Sequence, residues 1–213
     1  MRNFRTEGII IKRRNFGEAD RILTVMTRDY GKLQIKAAGV RKITSRRSAH
    51  IELLNHTILH LYKGHTFSIL TEATVVNDFA PVKAHFDKVG FAYHLCELVD
   101  GLCPENQENR NVFFLLQKTL SDLSQQKDIY MPQYVTAEIE DYTLGTFGLG
   151  GSDAPRSVAK QSGILEDFEV TLLSELGYWN KHEAASQHFD THDMIEQILE
   201  RKLKSRSIFA KLQ

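Results

Sequence analysis

The chain is poor in cysteine and proline, and its two cysteines cannot cross-link it. Only Cys96 and Cys103 are cysteine among the 213 residues, and four residues are proline. On a helix, this spacing places two side chains on one face two turns apart, which is too far for a disulfide. We therefore expect both thiols to be small core residues rather than a redox or metal pair.

Long apolar runs are also absent. No stretch approaches the roughly 20 apolar residues that a membrane-spanning helix needs, and the N-terminus lacks the apolar core of a signal peptide. We therefore expect a cytoplasmic protein without membrane contact. With 42% hydrophobic and 25% charged residues, the composition is typical of a globular protein rather than a disordered one.

The chain has no net charge, but the neutral total conceals an asymmetry. Residues 1–80 contain 14 Lys and Arg against 7 Asp and Glu, whereas residues 81–213 contain 13 against 20. Such a separation favours a polyanionic partner for the first part of the chain. The alternative is that the two parts only attract each other.

The first eighty residues have the pattern of β-strands. Short β-branched runs separated by glycine-bearing turns predict five strands, at 8–12, 21–27, 33–37, 51–62 and 66–76. Five short strands at this spacing predict a small closed or nearly closed barrel.

From Pro81 onward the apolar residues recur at helical spacing instead. Helices are predicted at 82–103, 111–123, 134–147, 166–176 and 194–203. A glycine-rich break is predicted at 148–155, and Gly177 is predicted to cap the fourth helix. The fold class is therefore α+β, with a barrel domain at 1–79 and a mostly helical domain at 80–213.

The strongest chemical signal is a set of ten cations in the barrel domain. These candidate nucleic-acid-binding residues are Lys12, Arg13, Arg14, Arg21, Lys32, Lys36, Arg41, Lys42, Arg46 and Arg47. Four of them share the segment 40–48 with three hydroxyl residues, a composition that suits phosphate contacts from an exposed loop.

Phe16 and Tyr30 are predicted to lie in loops, where they could stack on bases. If about five phosphates are neutralised, the logarithm of affinity should fall with that of salt at a slope of roughly −3.5 for single strands. The alternative is a solvated surface that keeps the barrel soluble.

Other groups of polar residues are given structural interpretations. A polar segment offers potential zinc ligands at irregular spacing and is predicted to be a solvated loop; they are His182, Glu183, His188, Asp190, His192 and Asp193. Glu138, Glu140 and Asp141 are predicted to lie on a solvated helix face. The basic run 201–206 is explained by the favourable effect of cations at a helix C-terminus, or by binding of an acidic peptide tail or DNA. No catalytic or metal-binding residue is assigned, and no cofactor is expected.

One ordered string of residues resembles a known family. The segment GIIIKRRNFGEADRILT at 8–24, followed by Thr27, Gly31-Lys32 and the run 38–42 leading to Ser45-Arg46, resembles the opening of RecO proteins. Segments 173–178 and 204–206 resemble two shorter signatures of the same family. The resemblance is dense over the barrel domain and patchy beyond it.

This resemblance implies an OB-fold in the barrel domain and a role in DNA repair, DNA damage response and homologous recombination. It implies binding of single- and double-stranded DNA, annealing of complementary strands, and work with RecR. It further implies recognition of the C-terminal tail of single-stranded DNA-binding protein, loading of a recombinase onto coated strands, and residence in the cytoplasm at the nucleoid. Family members of this kind are not enzymes, and the ten cations become the expected DNA contacts.

The chain departs from the family in one respect. Many members carry a four-cysteine zinc site after the signature at 173–178, but no cysteine lies beyond residue 103 here. A four-thiolate site is therefore impossible. Two alternative functions remain open: an interaction adaptor whose basic barrel docks acidic partners, and a metal-dependent nuclease, for which no coherent carboxylate set is found.

Overall fold

A computed structural model describes residues 2–126, 156–178 and 191–205 of the chain. The helix predicted at 134–147 and the break predicted at 148–155 lie outside these residues. So do the acidic residues Glu138, Glu140 and Asp141.

The first part of the chain is a closed five-stranded barrel. The strands are β1 (Asn3–Phe16), β2 (Asp20–Thr27), β3 (Gly31–Ala37), β4 (His56–Lys63) and β5 (Ser68–Asn77). Their order around the barrel is β1-β2-β3-β5-β4. Neighbours are antiparallel except β3 and β5, which meet in parallel through two residue pairs, Ile35 with Ser68 and Lys36 with Ile69. This is the OB-fold-like architecture that was expected.

Strand β1 is much longer than the predicted 8–12, and both of its faces are buried in the middle. Ile10 packs inside the barrel, whereas Ile9 and Ile11 pack against the helices. A bulge between Ile10 and Lys12 shifts the register with β2. A run of apolar residues is the pattern of a strand buried on both sides.

The strand predicted at 51–62 is a shorter element. Residues Ala49–Ile51 form a single 3₁₀ turn, and β4 begins only at His56. Between them Leu54 adopts a positive φ of 68°, which interrupts any extended strand.

The helices are α1 (Ala80–Lys83), α2 (Phe86–Leu102), α3 (Arg110–Gln125), α4 (Arg156–Glu175) and α5 (Thr191–Leu199). The predicted cap of α4 is confirmed: Gly177 has a φ of 79°, and the N–H of Tyr178 donates to the carbonyl of Leu173 at 2.9 Å. Helix α5 ends before the predicted residue 203 because Glu200 turns into the left-handed region.

Two apolar clusters hold the molecule together. One fills the barrel, and the other joins the helices to the outer face of the barrel through Ile9, Ile11, Met26 and Leu54. The barrel and the helices therefore share a core.

Both cysteines lie in this shared core, as expected. Burial raises the pKa of Cys96 to about 12 and that of Cys103 to about 11. Within the described residues, no helix is long and apolar enough to cross a membrane.

Candidate nucleic-acid interface

One end of the barrel brings together the turn between β1 and β2 and the loop that follows β3. The backbone N–H of Arg41 donates to the carbonyl of Ala19 at 2.9 Å, and its guanidinium donates to the carbonyl of Gly17 at 3.1 Å. We call this end the tip surface; it comprises Arg14, Phe16, Lys36, Arg41, Lys42 and Arg46.

Asp20 holds the base of this loop. Its carboxylate accepts the N–H of Gly39 at 2.8 Å and lies 3.1 Å from the ammonium of Lys36. The hydrogen bond from Gly39, followed by that from Lys36, keeps the pKa of Asp20 below its usual value. Gly39 has a φ of 68°, so the sharp exit from β3 uses a conformation that favours glycine.

Four of the predicted cations remain accessible on the tip surface. Arg14, Arg41, Lys42 and Arg46 are exposed, and none of them forms an ion pair with any part of the chain that the structure describes. Cations without an acidic partner keep their full charge for a phosphate. Beside them the apolar side chain of Ile43 is fully exposed.

The two aromatic residues predicted for stacking lie at opposite ends of the barrel. Phe16 belongs to the tip surface and is 42% exposed, with the ammonium of Lys36 5.3 Å from its ring centroid. Tyr30 is equally exposed but packs edge-on against Phe4 at the far end. Only Phe16 is therefore placed to stack on a base that the four cations hold.

Arg13 and Arg21 share one acid. Both guanidinium groups form ion pairs with Glu52, that of Arg21 at 3.4 Å. The three side chains together keep one net positive charge at the side of the barrel. These two arginines therefore provide less net positive charge for binding a polyanion than the sequence indicates.

Lys12 and Lys32 both link the barrel to α2, although only Lys32 is buried. Both ammonium groups approach Asp100, that of Lys12 at 2.6 Å and that of Lys32 at 3.8 Å. Lys32 is only 6% exposed and also donates to the backbone carbonyl of Asp100. Its predicted role as a phosphate contact does not fit this position, because the amine is enclosed between two elements.

Arg47 also departs from its predicted role. Its guanidinium donates to the carbonyl of Ala38 at 2.9 Å and to that of Leu70 at 2.8 Å. These carbonyls follow β3 and belong to β5, the two strands that share only two ladder pairs. Arg47 therefore links the end of β3 to β5 and stabilises the closed barrel.

A groove of about 650 Å³ lies between β1, α2 and residues 201–205. It is lined by the apolar side chains of Ile11, Leu53, Tyr93 and Cys96, by the cations Lys12, Arg13, Arg201 and Lys204, and by the acids Glu97 and Asp100. Thus part of the basic run at 201–206 faces a cavity; Arg206 lies outside the described residues.

Glu97 anchors the C-terminal wall of this groove. Its carboxylate accepts the N–H groups of Lys204 at 2.9 Å and Ser205 at 2.8 Å, and it pairs with Arg201 at 3.0 Å. Burial alone would raise the pKa of Glu97, but these hydrogen bonds bring it below its usual value. The sequence carries no signal for this contact, since its partners are more than 100 residues apart.

The prediction of a solvated histidine loop is wrong for His192. This residue lies in the first turn of α5 with only 9% exposure and contacts Glu169 of α4. Asp193 is exposed. His182, Glu183, His188 and Asp190 lie outside the described residues.

Comparison with known proteins identifies relatives of both parts of the chain. Residues 1–79 match the family model "Recombination protein O N terminal", and residues 84–146 match "Recombination protein O C terminal". The "DNA repair protein RecO" of Roseiflexus sp. (strain RS-1) is 41% identical over 123 residues, which cover 58% of this chain and 43% of the relative. That of Moorella thermoacetica is 32% identical over 153 residues, covering 72% and 54%. The chain thus spans about half the length of these relatives. The two family models match consecutive parts of the chain, and the first of them coincides with the OB-fold-like barrel. The chain therefore belongs to the RecO family.

Proposed function

We propose that this chain is a non-enzymatic mediator of DNA repair and recombination that binds single- and double-stranded DNA through the tip surface. The observation that carries the proposal is the group of four exposed cations at one end of the barrel, without acidic partners among the described residues. Membership of a family whose relatives are named DNA repair proteins supports it.

The contacts are with the DNA backbone, so binding tolerates any sequence. Arg14, Arg41, Lys42 and Arg46 neutralise about four phosphates, which gives a slope of roughly −2.8 for single strands. Phe16 adds stacking on one base, a contact worth about 1–3 kcal/mol that every base can make.

Annealing follows from the same charge distribution. Two complementary strands repel each other through their phosphates, and a cationic surface that contacts both lowers this repulsion. Because the contacts carry no sequence information, base pairing alone selects the partner strand. The protein accelerates the encounter without a chemical step.

The groove beside α2 is our candidate site for the acidic C-terminal tail of single-stranded DNA-binding protein. Its lining combines apolar side chains with four cations against two acids, which suits a peptide that carries both acidic and apolar side chains. This site is separate from the tip surface, so one chain can hold the tail and the DNA together. Cooperation with RecR and loading of a recombinase at the nucleoid complete the proposed cytoplasmic role.

A matched pair of charge reversals tests the proposal. Lys42→Glu with Arg46→Glu alters the tip surface, and Arg5→Glu with Lys63→Glu makes the same charge change elsewhere. Arg5 is exposed on β1, nine residues and roughly 30 Å along the strand from Arg14. Arg47 is left intact because its loss would disturb the barrel. Affinity for a fluorescent oligonucleotide over a salt series and the rate of annealing are measured.

The tip variant should lose annealing and reduce the salt slope for single strands by about 1.4, the share of two phosphates. The control variant should keep both. Equal losses in the two variants would reject the tip surface as the interface. A wild-type chain that neither binds nor anneals would reject DNA binding and favour the adaptor, whose basic barrel docks an acidic protein. Cleavage of the oligonucleotide in Mg²⁺ would contradict the non-enzymatic part and favour a nuclease.

A further inference from the structure

Three buried side chains from three helices converge behind the groove. His94 of α2, Glu169 of α4 and His192 of α5 are 1%, 4% and 9% exposed. Nε2 of His94 lies 2.9 Å and Nδ1 of His192 lies 3.3 Å from the same oxygen, Oε1 of Glu169. One potential ligand atom from each side chain lies within 4.8 Å of the other two.

These separations suit a small cation with tetrahedral preference. Zinc bonds of 2.0–2.2 Å to nitrogen and oxygen place neighbouring ligand atoms about 3.3 Å apart. Oε1 already meets both imidazole nitrogens near this distance. Two imidazoles and one carboxylate are a donor set that zinc uses in proteins, with a water as the fourth ligand.

The far sides of His94 and Glu169 are also held, as outer partners of metal ligands are. Nδ1 of His94 lies 2.8 Å from the hydroxyl of Ser205, which fixes the ring. The other oxygen of Glu169 accepts a hydrogen bond from the hydroxyl of Thr191 at 2.6 Å, leaving Oε1 toward the imidazoles. The rings of His94 and His192 are stacked with centroids 5.4 Å apart.

A buried carboxylate requires a compensating positive charge, because desolvation of an unpaired ion is costly. Either a protonated imidazole or a divalent cation supplies it. We infer that His94, Glu169 and His192 bind a structural Zn²⁺ that fastens α5 and residues 201–205 to α2 and α4. This site uses none of the residues proposed for DNA contact, so the two proposals fail independently.

The first test needs no variant. The tag-free 213-residue chain is stripped with a chelator and titrated with zinc alone. Bound metal is measured by mass spectrometry, and the melting temperature is recorded. We expect one equivalent of tightly bound zinc and a rise in melting temperature. The X-ray absorption spectrum of the bound zinc should show nitrogen and oxygen ligands at about 2.0–2.1 Å and no sulfur ligand. A chain that retains no zinc and shows no rise carries a hydrogen-bonded triad only, and the proposal is overturned.

Variants then locate the metal. Glu169→Gln and His192→Gln keep the size and hydrogen-bonding capacity of the pocket but should abolish tight binding. Ser205→Ala should weaken it by about 10- to 100-fold, the usual effect of losing an outer partner. His65→Gln, an exposed histidine in the turn between β4 and β5, should bind as wild type does. Undiminished zinc binding by Glu169→Gln would place the metal elsewhere and overturn the inference.

Discussion

At position 31 the chain has no room for a side chain. Gly31 has a φ of 66°, and a Cβ there would lie 1.7 Å from the carbonyl oxygen of Gln107 in the segment before α3. We predict that Gly31→Ala lowers the free energy of unfolding by about 3 kcal/mol or more, since both the backbone and the packing oppose it. Gly17 is the matched control, with a φ of 59° and nothing within 4 Å of the added carbon. Gly17→Ala should cost only about 1–2 kcal/mol in urea denaturation. Equal losses would contradict the close contact.

Lys32 and Lys12 share Asp100 but differ in burial, and their substitution should separate stability from DNA binding. Lys32→Ala removes an ion pair to the side chain of Asp100 and a hydrogen bond to its backbone carbonyl, both in an enclosed position. We therefore expect the free energy of unfolding to fall by about 3 kcal/mol. Lys12→Ala removes a largely exposed ion pair and should cost less than about 1 kcal/mol. Thermal denaturation measures both. A changed DNA salt slope in a folded Lys32→Ala chain would contradict the structural role.

The ten cations illustrate what the sequence can predict at the residue scale. Composition locates the charge, and segment 40–48 was identified as a cationic loop, which the structure places on the tip surface. Composition does not show which charges are already paired. Glu52, Asp100 and the carbonyl of Leu70 are 39, 88 and 23 residues from Arg13, Lys12 and Arg47 respectively. Such partners become apparent only when the fold brings them together.

Among the elements, the junction of β3 and β5 is the weakest part of the barrel ladder. Two residue pairs close it, and the guanidinium of Arg47 bridges the backbone on either side. We predict that Arg47→Met lowers the free energy of unfolding by about 1–3 kcal/mol, because partly buried carbonyls lose charge-assisted donors. Hydrogen exchange should accelerate first at β3 and β5. Unchanged protection of these strands would contradict the stabilising role of Arg47. Arg46→Met, which alters the exposed neighbour, is the control and should leave the protection unchanged.

The strands and helices show where local pattern suffices. Alternation and turn residues predict β2 and β3 well, and glycine predicts the end of α4. The ends of β1 were missed because its pairing with β4 and β2 extends strand structure into polar residues at both ends. The end of α5 was missed because Leu203, although buried, follows the helix rather than belonging to it. Long-range pairing and packing therefore decide the boundaries.

For the whole molecule, the shared core places a titratable group at the junction of barrel and helices. His56 of β4 is buried, with its ring edge-on to Phe113 of α3 and its Nε2 3.4 Å from the carboxylate of Glu7. Burial lowers the pKa of His56 below its ordinary 6.5, with Glu7 partly opposing the effect and Arg28 adding to it. The folded state therefore favours the neutral ring more strongly than the unfolded chain does.

The sign of the pH dependence follows from this. The unfolded chain takes up a proton at His56 below pH 6.5 before the folded chain does, so stability falls as the pH drops below that value. We predict a contribution of at most about 1.4 kcal/mol per pH unit, the limit for one proton. His56→Gln should flatten the decline measured by urea denaturation between about pH 7 and pH 5, and His65→Gln should not. The same slope in all three chains would contradict the assignment.

The anchoring of the loop at 38–48 has a consequence for the speed of capture. Asp20 holds Gly39, the turn between β1 and β2 holds Arg41, and Arg47 ties the far side of the loop to β5. Ordering a free backbone residue costs about 1–2 kcal/mol in conformational entropy, and here much of that loss has already occurred during folding. A preorganised loop can meet a phosphate chain without first being frozen, so a few modest contacts suffice. For the proposed DNA contact, the expected consequence is faster association, because the loop need not become ordered before it binds.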